Sequence, residues 1–229
     1  MEQELANELV EKTKNDFNLI AKEFSQTRYC LWPELADNFQ GFIKEEDKIL
    51  DIGCGNGRLL DLFKKKKIDY VGIDNSEGQI KEAKAKYPKK NFLVADALKL
   101  PFDNNVFDKV FSVAVFHEIP SLELRKQFLK ETKRVLKENG LLFLTVWDLR
   151  FQLSLILKYS FLKMIGRSKL DWKDVFVPWG KKAQRYYHIF SKREITRLVK
   201  KAGFSIIKIG IAKKGNIYLI AKKSPLPNG

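Results

Sequence analysis

The stretch ILDIGCGNGRLL, residues 49–60, constrains the fold of this chain more than any other segment. A short apolar strand runs into three alternating glycines, after which an apolar helical pattern begins. Gly53, Gly55 and Gly57 let the backbone turn sharply and pass close to a ligand, which is more than a plain tight turn requires. The spacing is G-x-G-x-G, which differs from the G-x-G-x-x-G of dinucleotide-binding proteins. Asp51 ahead of the turn suits a cationic ligand better than a pyrophosphate.

Strand and helix patterns alternate along most of the chain, as they do in doubly wound α/β proteins. The patterns predict strands at 48–52, 69–74, 91–94, 107–116 and 141–147, and helices at 58–66, 76–87, 122–137 and 192–202. The helix over 122–137 is expected to stop at Asn139-Gly140. Two final strands, at 204–211 and 216–221, form a hairpin. We therefore expect an α/β fold with a mostly parallel, seven-stranded, Rossmann-like sheet.

The length of 229 residues suits one domain that carries an insertion. Residues 1–46 are expected to form an N-terminal helical cap, and residues 47–147 the ligand-binding core. Residues 148–190 do not fit the alternation, so we interpret them as an insertion after the fifth strand. Residues 191–223 supply the last helix and the strand hairpin.

Several features of the sequence bear on where the protein works. The start of the chain, MEQELANELVEKTK, is acidic and polar, unlike a secretory signal. Lysines interrupt the longest apolar stretches, so no membrane span is predicted. Cys30 and Cys54 form neither a metal-binding spacing nor a disulfide framework. We therefore expect no metal and a cytoplasmic location.

The formal net charge of +15 is unevenly placed along the chain. Residues 1–147 hold 24 basic and 24 acidic residues, so the whole excess lies in the last third. Residues 148–190 hold 9 basic and 3 acidic residues, and residues 191–229 hold 10 and 1. A run of charge is usually a solvated face, but this asymmetry favours a surface that meets a polyanion.

Two further carboxylates stand where predicted strands end. Asp74 closes the second strand, 17 residues after Gly57, where doubly wound folds use an acid to accept hydrogen bonds from ribose hydroxyls. Asp96-Ala97 follows the third strand, in a place to meet an adenine edge, although alone it would suit a turn or a helix cap. Together with the glycine turn, these features resemble the class I S-adenosylmethionine-dependent methyltransferases over residues 48–147.

That resemblance implies S-adenosylmethionine as the cofactor. The glycine turn would pass beneath its methionine part, Asp74 and Asp96 would hold its ribose and adenine, and Asp51 would orient the turn and the cofactor's amino group. The cofactor-binding residues implied are Asp51, Gly53, Cys54, Gly55, Asn56, Gly57, Asp74, Asn75, Asp96 and Ala97. The fold does not name the methyl acceptor, which should lie at the carboxyl ends of the strands.

Three segments expected at those ends narrow the resemblance: FSQTRYCLWPELADNF, VAVFHE and DVFVPWGKKAQRYYHIF. They look like the wobble-uridine tRNA methyltransferases, which convert 5-carboxymethyluridine to its methyl ester. That family includes a free-standing enzyme and a domain fused to an AlkB-like oxygenase. Aromatic residues interleaved with arginine and lysine also suit single-stranded RNA. The resemblance implies tRNA as a partner and, by analogy with eukaryotic members, a small zinc-binding activator subunit.

The same resemblance assigns residues to the acceptor side of the site. Arg28 and His117 are the expected catalytic residues, although His117 would equally suit a capping or packing role. Two positions depart from the family pattern, because Glu118 stands where members often carry a second histidine and Gly180 replaces a polar residue. The substrate-binding residues implied are Tyr29, Trp32, Trp179, Arg185, Tyr186, Tyr187 and His188.

The chemistry expected of the site depends on the acceptor. A carboxylate is already ionised near neutral pH, so the protein has to position it and exclude water, without supplying a base. Arg28 would then hold either the carboxylate or a phosphate, and His117 would donate a hydrogen bond. An amine or hydroxyl acceptor would need a base, for which His117 or Glu118 are the candidates.

Two other functions fit parts of the sequence. Residues 151–166, FQLSLILKYSFLKMIG, could form a basic amphipathic helix on anionic lipid and so indicate a small or lipid-like acceptor at a membrane surface. Ordinary packing over the active site is the simpler interpretation of this helix. A non-catalytic RNA-binding module is the third possibility, and the intact glycine turn argues against it.

Overall fold

A seven-stranded sheet runs through the centre of the computed structural model, which describes residues 1–28, 32–212 and 215–224. Its spatial order is β3-β2-β1-β4-β5-β9-β8, with β1 to β5 parallel and the terminal hairpin antiparallel. The predicted doubly wound α/β fold is confirmed. The strands are β1 (Lys48–Ile52), β2 (Asp69–Asp74), β3 (Asn91–Val94), β4 (Phe107–Val113), β5 (Leu136–Trp147), β8 (Phe204–Ile211) and β9 (Asn216–Lys223).

Helices cover both faces of the sheet. They are α1 (Gln3–Thr27), α2 (Pro33–Phe39), α3 (Glu77–Lys86), α4 (Leu122–Val135), α5 (Leu153–Met164) and α6 (Lys192–Lys201). Three of them begin at a serine whose hydroxyl accepts a hydrogen bond from the backbone three residues later, which satisfies an otherwise unpaired N–H. These N-caps are Ser76, Ser121 and Ser191.

Two predicted helix boundaries are wrong. The segment after the glycine turn is a short 3-10 helix, Arg58–Phe63, where an α-helix to residue 66 was expected. The expected helix stop at Asn139-Gly140 is also wrong, because α4 ends at Val135 and the chain passes directly into β5. Asn139 has a φ of 65° inside β5, where the register against β4 shifts. The left-handed backbone that usually ends a helix here accompanies an irregularity in a strand.

Apolar side chains alternate between the two faces of the central strands. On one face, Val110 and Leu144 pack with residues of α4 and α6. On the other, the rings of Phe111 and Phe143 stack at 4.4 Å, and Phe39 of α2 meets both. The core therefore fixes the sheet from both sides and leaves the carboxyl ends of its strands free to form a site.

The insertion between β5 and α6 folds as α5 followed by a hairpin of β6 (Asp174–Trp179) and β7 (Ala183–His188). The His188 ring joins the hairpin to α6, because its Nδ1 lies 2.7 Å from Asp174 and its Nε2 2.9 Å from Glu194. The insertion also meets the N-terminal helix. Lys12 donates to the Gln184 carbonyl at 2.8 Å, and Glu23 pairs with Lys182 further along α1.

Candidate active site

A cleft opens at the carboxyl ends of β1, β2 and β4, where the strand order reverses between β1 and β4. Its cavity volume is about 130 Å³. Side chains from α1 and β7 line it together with the glycine turn. The predicted site residues that line this cleft are Arg28, Asp51, Gly53, Cys54, Gly55, Asn56, Asp74, Asn75, Asp96, Ala97, Arg185 and Tyr187.

The glycine turn brings bare backbone to the cleft. Gly53 has a φ of 70°, and a Cβ there would lie 2.2 Å from Cγ2 of Val115, so no side chain fits. Gly55 has a φ of 53° and donates its N–H to Oδ2 of Asp74 at 3.0 Å. Gly57 does not line the cleft, because a Cβ there would meet a phenylalanine ring of β3 at 2.8 Å. Two of the three glycines therefore face the cleft, and the third lets the turn pack on the sheet.

Two carboxyl groups flank this turn. Asp51 is 2% exposed and accepts a hydrogen bond from the Tyr70 hydroxyl at 2.8 Å. Burial raises the pKa of Asp51 to about 7, against the opposing effect of the Tyr70 hydrogen bond. Asp74 accepts from the backbone N–H groups of Gly55 and Ser76, and burial raises its pKa to about 6. A cationic ligand would lower both pKa values and draw the two groups into their charged forms.

Two amide side chains complete the turn's surroundings. Gln79 of α3 is 1% exposed and lines the cleft, and neither atom of its amide has a hydrogen-bond partner among the residues described. A buried amide without partners is costly, so this group is suited to bind a polar ligand. Asn56 instead donates to the Arg28 carbonyl at 3.0 Å, which ties the turn to the end of α1.

A single buried guanidinium faces the turn from the insertion. Arg185 is 4% exposed, and its Cζ lies 5.4 Å from the Trp147 ring, 4.9 Å from Trp179 and 5.1 Å from Tyr187. Within the described part of the chain it forms no salt bridge, and its Nε has no hydrogen-bond partner. A buried cation normally needs an anionic partner. This arrangement is suited to receive an anion from the cleft.

Glu118 brings a carboxyl group close to Arg185. It is half-buried, and it lines the cleft. Burial holds its pKa well above the ordinary value, while Arg185 opposes the shift and Asp74 adds to it. The Tyr187 hydroxyl lies near this carboxyl group without a well-formed hydrogen bond. Burial therefore disfavours the charged form of Glu118, and no salt bridge joins it to Arg185 among the described residues.

Comparison with known proteins places the chain among methyltransferases. Residues 50–144 match the model of a family described as a methyltransferase domain. The tRNA (carboxymethyluridine(34)-5-O)-methyltransferase of Schizosaccharomyces pombe is 30% identical over 247 residues, covering 98% of this chain and 100% of that protein. The protein of the same name from Saccharomyces cerevisiae is 34% identical, over 71% of this chain and 54% of its own length.

The chain belongs to the methyltransferase family of these two relatives. The fold agrees, because a structure of an S-adenosylmethionine-dependent methyltransferase from Methanosarcina mazei aligns with a TM-score of 0.72. That structure is 24% identical, over 86% of this chain and 100% of its own. A second alignment, with a TM-score of 0.70 and 17% identity, is to the complex between the Haloferax volcanii Trm112 methyltransferase activator and a candidate methyltransferase. It covers 95% of this chain and 100% of that one.

The residues of the methyltransferase's cleft fit S-adenosylmethionine, which is its cofactor. The side-chain-free backbone at Gly53 admits a ligand at close range, and the orphaned amide of Gln79 offers it a donor and an acceptor. Asp51 and Asp74 suit its cationic and hydroxyl groups. Donors, acceptors and charges of the right kinds therefore surround the turn.

Several predicted residues lie outside the cleft lining. His117 is fully buried beside the rings of Trp147 and Tyr187, with centroids at 5.7 and 4.6 Å. Burial, reinforced by the charge of Arg185, lowers its pKa to about 3, so the ring is neutral. Neither ring nitrogen has a hydrogen-bond partner among the described residues. His117 therefore packs behind the aromatic wall of the cleft.

The other outlying residues have partners of their own. The Trp179 ring covers Arg28 at 5.4 Å, at the edge of the cleft. Trp32 lies under the Arg58 guanidinium, 4.8 Å from its ring centre. Tyr186 and His188 contact charged side chains. The Tyr186 hydroxyl accepts a hydrogen bond from Arg125 at 2.9 Å, and His188 lies between Asp174 and Glu194. Tyr29 lies outside the described residues.

The sequence interpretation missed part of the lining. Gln79 looked like an ordinary surface residue of a polar helix, and its position three residues after the Ser76 cap was the available signal. Trp147 ends β5, and the rule that ligands lie beyond the carboxyl ends of strands could have identified it. Phe17 and Phe24 of α1 also line the cleft, which the apolar pattern of a helix cannot distinguish from core packing.

Proposed function

We propose that this methyltransferase transfers a methyl group from S-adenosylmethionine to the carboxylate of 5-carboxymethyluridine at the wobble position of tRNA. The family relationship over the whole chain supports this acceptor. The observation that carries it is Arg185, a buried guanidinium that faces the cleft without an ion pair among the described residues. An acceptor carboxylate would supply the anion that this cation lacks.

The glycine turn and its carboxyl groups form the cofactor half of the proposed site. Gly53, Gly55 and Asp51 line the cleft, where the two glycines would lie beneath the methionine part and Asp51 would take the amino group. Asp74 would accept hydrogen bonds from the ribose hydroxyls, while Asp96 and the adjacent backbone would meet the adenine. When bound, the cofactor supplies a methyl group activated by its sulfonium. The protein has to hold the acceptor in line with it and keep water out.

The acceptor half needs positioning more than acid–base chemistry. Arg185 would hold the carboxylate through one or two N–H···O hydrogen bonds. A lone pair of the carboxylate would remain directed at the methyl group of the cofactor. The rings of Trp147 and Tyr187 form an apolar wall that excludes water and strengthens this pairing. No base is required, which agrees with the low pKa and buried position of His117. In this proposal His117 is a positioning residue that supports Tyr187.

In the same proposal Arg28 binds the substrate at the entrance of the cleft. Its guanidinium lies 6.0 Å from the Phe24 ring and 5.4 Å from Trp179, at the junction of α1 and the insertion. It is half-buried, so it can meet either the acceptor carboxylate or a phosphate of the same nucleotide. The remaining substrate contacts come from the basic last third of the chain, which suits a tRNA backbone. The cytoplasm is the compartment proposed for this activity.

A zinc-binding activator subunit is a further proposed partner. The alignment to a methyltransferase complex with the Trm112 activator supports it. Methylation measured with and without such a subunit tests this, and we expect turnover or solubility to rise on its addition. Equal activity and an absence of a complex on gel filtration would exclude that partner.

The proposed acceptor can be tested with tRNA that carries 5-carboxymethyluridine at the wobble position and a labelled cofactor. We expect label in the digested nucleoside and none with tRNA that carries unmodified uridine there. Arg185→Met should lower acceptor turnover by about thirtyfold or more, because loss of one partner of a buried charge pair costs about 2 kcal/mol or more. Its cofactor dissociation constant should change little. Absence of label from the modified tRNA, with the activator present, would refute the acceptor.

A further inference from the structure

The outer side of the insertion exposes large apolar side chains that nothing in the described structure covers. Their exposed fractions run from 43% to 80%. We call the stripe along α5 the α5 apolar face, and its members are Leu153 at 66%, Leu157 at 68%, Phe161 at 55% and Met164 at 72%. Phe151 at 80%, Ile165 at 43% and Trp172 at 70% are exposed in the same insertion.

The α5 apolar face follows the period of the helix. Leu153, Leu157 and Phe161 are spaced by four residues and therefore lie along one side of α5. Tyr159 on the opposite side is 8% exposed and packs on the hairpin core. The helix thus already buries one apolar side in its own insertion. A second apolar stripe in water is unfavourable unless it has another environment.

Basic residues outnumber acids in the segment that carries this face. Residues 149–172 contain five lysines and arginines and one acid, Asp171, which pairs with the N-terminal ammonium group. Arg150 pairs with Asp148, and Lys163 donates to two backbone carbonyls of the insertion. The remaining three are exposed and, among the described residues, form no salt bridge: Lys158, Arg167 and Lys169. The electrostatic potential beside the face is therefore positive.

We propose that the α5 apolar face docks onto an anionic lipid surface. Side chains that are more than half exposed protrude from the fold, whereas a groove for a protein partner would leave them partly enclosed. Single-stranded RNA stacks its bases on aromatic rings, and most of this face is aliphatic. A fluid lipid interface accepts protruding aliphatic and aromatic side chains, and its charged headgroups attract the lysines and arginines.

The docking is peripheral. No helix among the described residues has the length and apolar character to cross a bilayer. The cleft lies between α1, the glycine turn and β7, so docking through α5 leaves its lining residues outside the contact. The inference does not depend on the identity of the methyl acceptor.

The test is flotation of the full chain with vesicles of phosphatidylcholine alone and of phosphatidylcholine mixed with phosphatidylserine. We expect binding to the mixed vesicles and much weaker binding to the neutral ones. Leu157→Ser with Phe161→Ser should raise the lipid concentration for half-maximal binding about tenfold or more. Arg167→Glu with Lys169→Glu should do the same and remove the preference for phosphatidylserine. Leu19→Ser, at an equally exposed residue of α1, is the matched control and should bind like the parent.

Four results would overturn the inference. These are absence of flotation, equal flotation of the Leu157/Phe161 variant and the parent, loss of a parent dimer in that variant on gel filtration, and loss of its tRNA affinity. The third would assign the face to a second copy of the chain, and the fourth to RNA. Thermal unfolding of each variant, expected to match the parent because the changed residues are exposed, excludes misfolding as the cause.

Discussion

Gly53 and Asp51 lie two residues apart, and each limits the site in a different way. Gly53 sets how close the backbone comes to Val115 and to a ligand. Asp51 places a carboxyl group in an environment that resists its charge. The first constraint is steric and acts at any pH, whereas the second is electrostatic and depends on pH. Separate substitutions can therefore distinguish them.

Gly53→Ala should destabilise the fold and weaken S-adenosylmethionine binding together. The left-handed backbone alone costs an alanine roughly 1–2 kcal/mol, and the added Cβ would lie 2.2 Å from Val115. Gly166→Ala is a matched control, because Gly166 has a φ of 71° with nothing within 4 Å. We expect denaturant unfolding to show a larger loss for Gly53→Ala. Equal losses would mean that Val115 yields and that the close approach is unimportant.

Asp51→Asn should stabilise the cofactor-free protein at high pH while weakening cofactor binding. Folding raises the pKa of Asp51 from 3.8 to about 7, so ionisation costs the folded state free energy that grows as the pH rises through this window. Asparagine can still accept the Tyr70 hydrogen bond but does not ionise.

Thermal unfolding across the pH range checks the stability of this variant. We expect the variant to melt above the parent at about pH 8 and level with it at about pH 4. Calorimetry should show weaker cofactor binding. Asp37→Asn, at an exposed residue of α2, controls for the change in net charge. A difference in melting temperature between variant and parent that does not change with pH would contradict an electrostatic cause.

At the scale of single residues, the sequence predicted the lining of the cleft best where glycines and acids occur together. The spacing of glycines and acids at strand ends assigned Gly53, Asp51 and Asp74 to one site, and all three line the cleft. Gln79 was missed because a glutamine in a polar helix carries no signal until the fold turns it inward. His117 was expected at the reacting centre, and only the three-dimensional packing reveals Tyr187 between it and the cleft.

At the scale of elements, the β6–β7 hairpin delivers Arg185 and Tyr187 to the cleft. Its position depends on a buried ionic contact, since Asp174 is fully buried against His188 and lies 3.6 Å from Arg125 of α4. Hydrogen bonds from His188 and Lys173 outweigh the effect of burial and lower the pKa of Glu194 to about 2. The hairpin is thus joined to α4 and α6 by charge as well as by packing.

His188→Leu should loosen this hairpin. Removal of the ring costs Asp174 and Glu194 one hydrogen bond each, about 1–3 kcal/mol in total, while Arg125 still lies beside Asp174. Hydrogen exchange of the β6 and β7 amides should accelerate, and the denaturant midpoint should fall. Lys173→Ala removes a half-exposed pair with Glu194 and should cost about 1 kcal/mol or less. Unchanged exchange in β6 and β7 would show that packing alone holds the hairpin.

The elements themselves were largely predictable, with instructive exceptions. The apolar runs of β1, β2, β4 and β5 identified a parallel sheet because strands buried on both faces have few polar residues. The end of α4 was misplaced because Asn139-Gly140 is a common helix stop, whereas here strand pairing with β4 begins at Leu136. The hairpin inside the insertion was not predicted, since its stability comes from contacts with α4, α6 and α1 rather than from local pattern.

At the scale of the whole molecule, charge and chemistry are divided between two parts of the chain. The proposed cofactor residues lie in the electrically neutral residues 1–147, and the excess positive charge lies beyond them. On α6, Arg193 and Arg197 are exposed, lie one turn apart and form no salt bridge among the described residues. This separation predicts that tRNA affinity and cofactor affinity respond independently to surface charge.

Arg193→Glu with Arg197→Glu should weaken tRNA binding and make it less sensitive to salt. Each lost phosphate contact lowers the slope of log affinity against log salt by about 0.9, so the slope should fall by nearly two. Anisotropy titrations at several salt concentrations measure it. Lys81→Glu with Lys84→Glu on α3 makes the same change in charge in the neutral part and should have little effect. Equal losses from both pairs would mean that only net charge matters.

The contacts between α1 and the insertion also limit the order in which parts of the site can form during synthesis. Lys12 bonds to Gln184, and Glu23 to Lys182, across more than 150 residues of intervening chain. On the ribosome α1 emerges before its partners in β7, which follow only after the intervening residues have been made. The contacts between α1, which lines the cleft, and the hairpin can therefore form only after the strands of the parallel sheet have been made. A late closing step of this kind would let the nascent chain complete its cofactor turn before the site is shut.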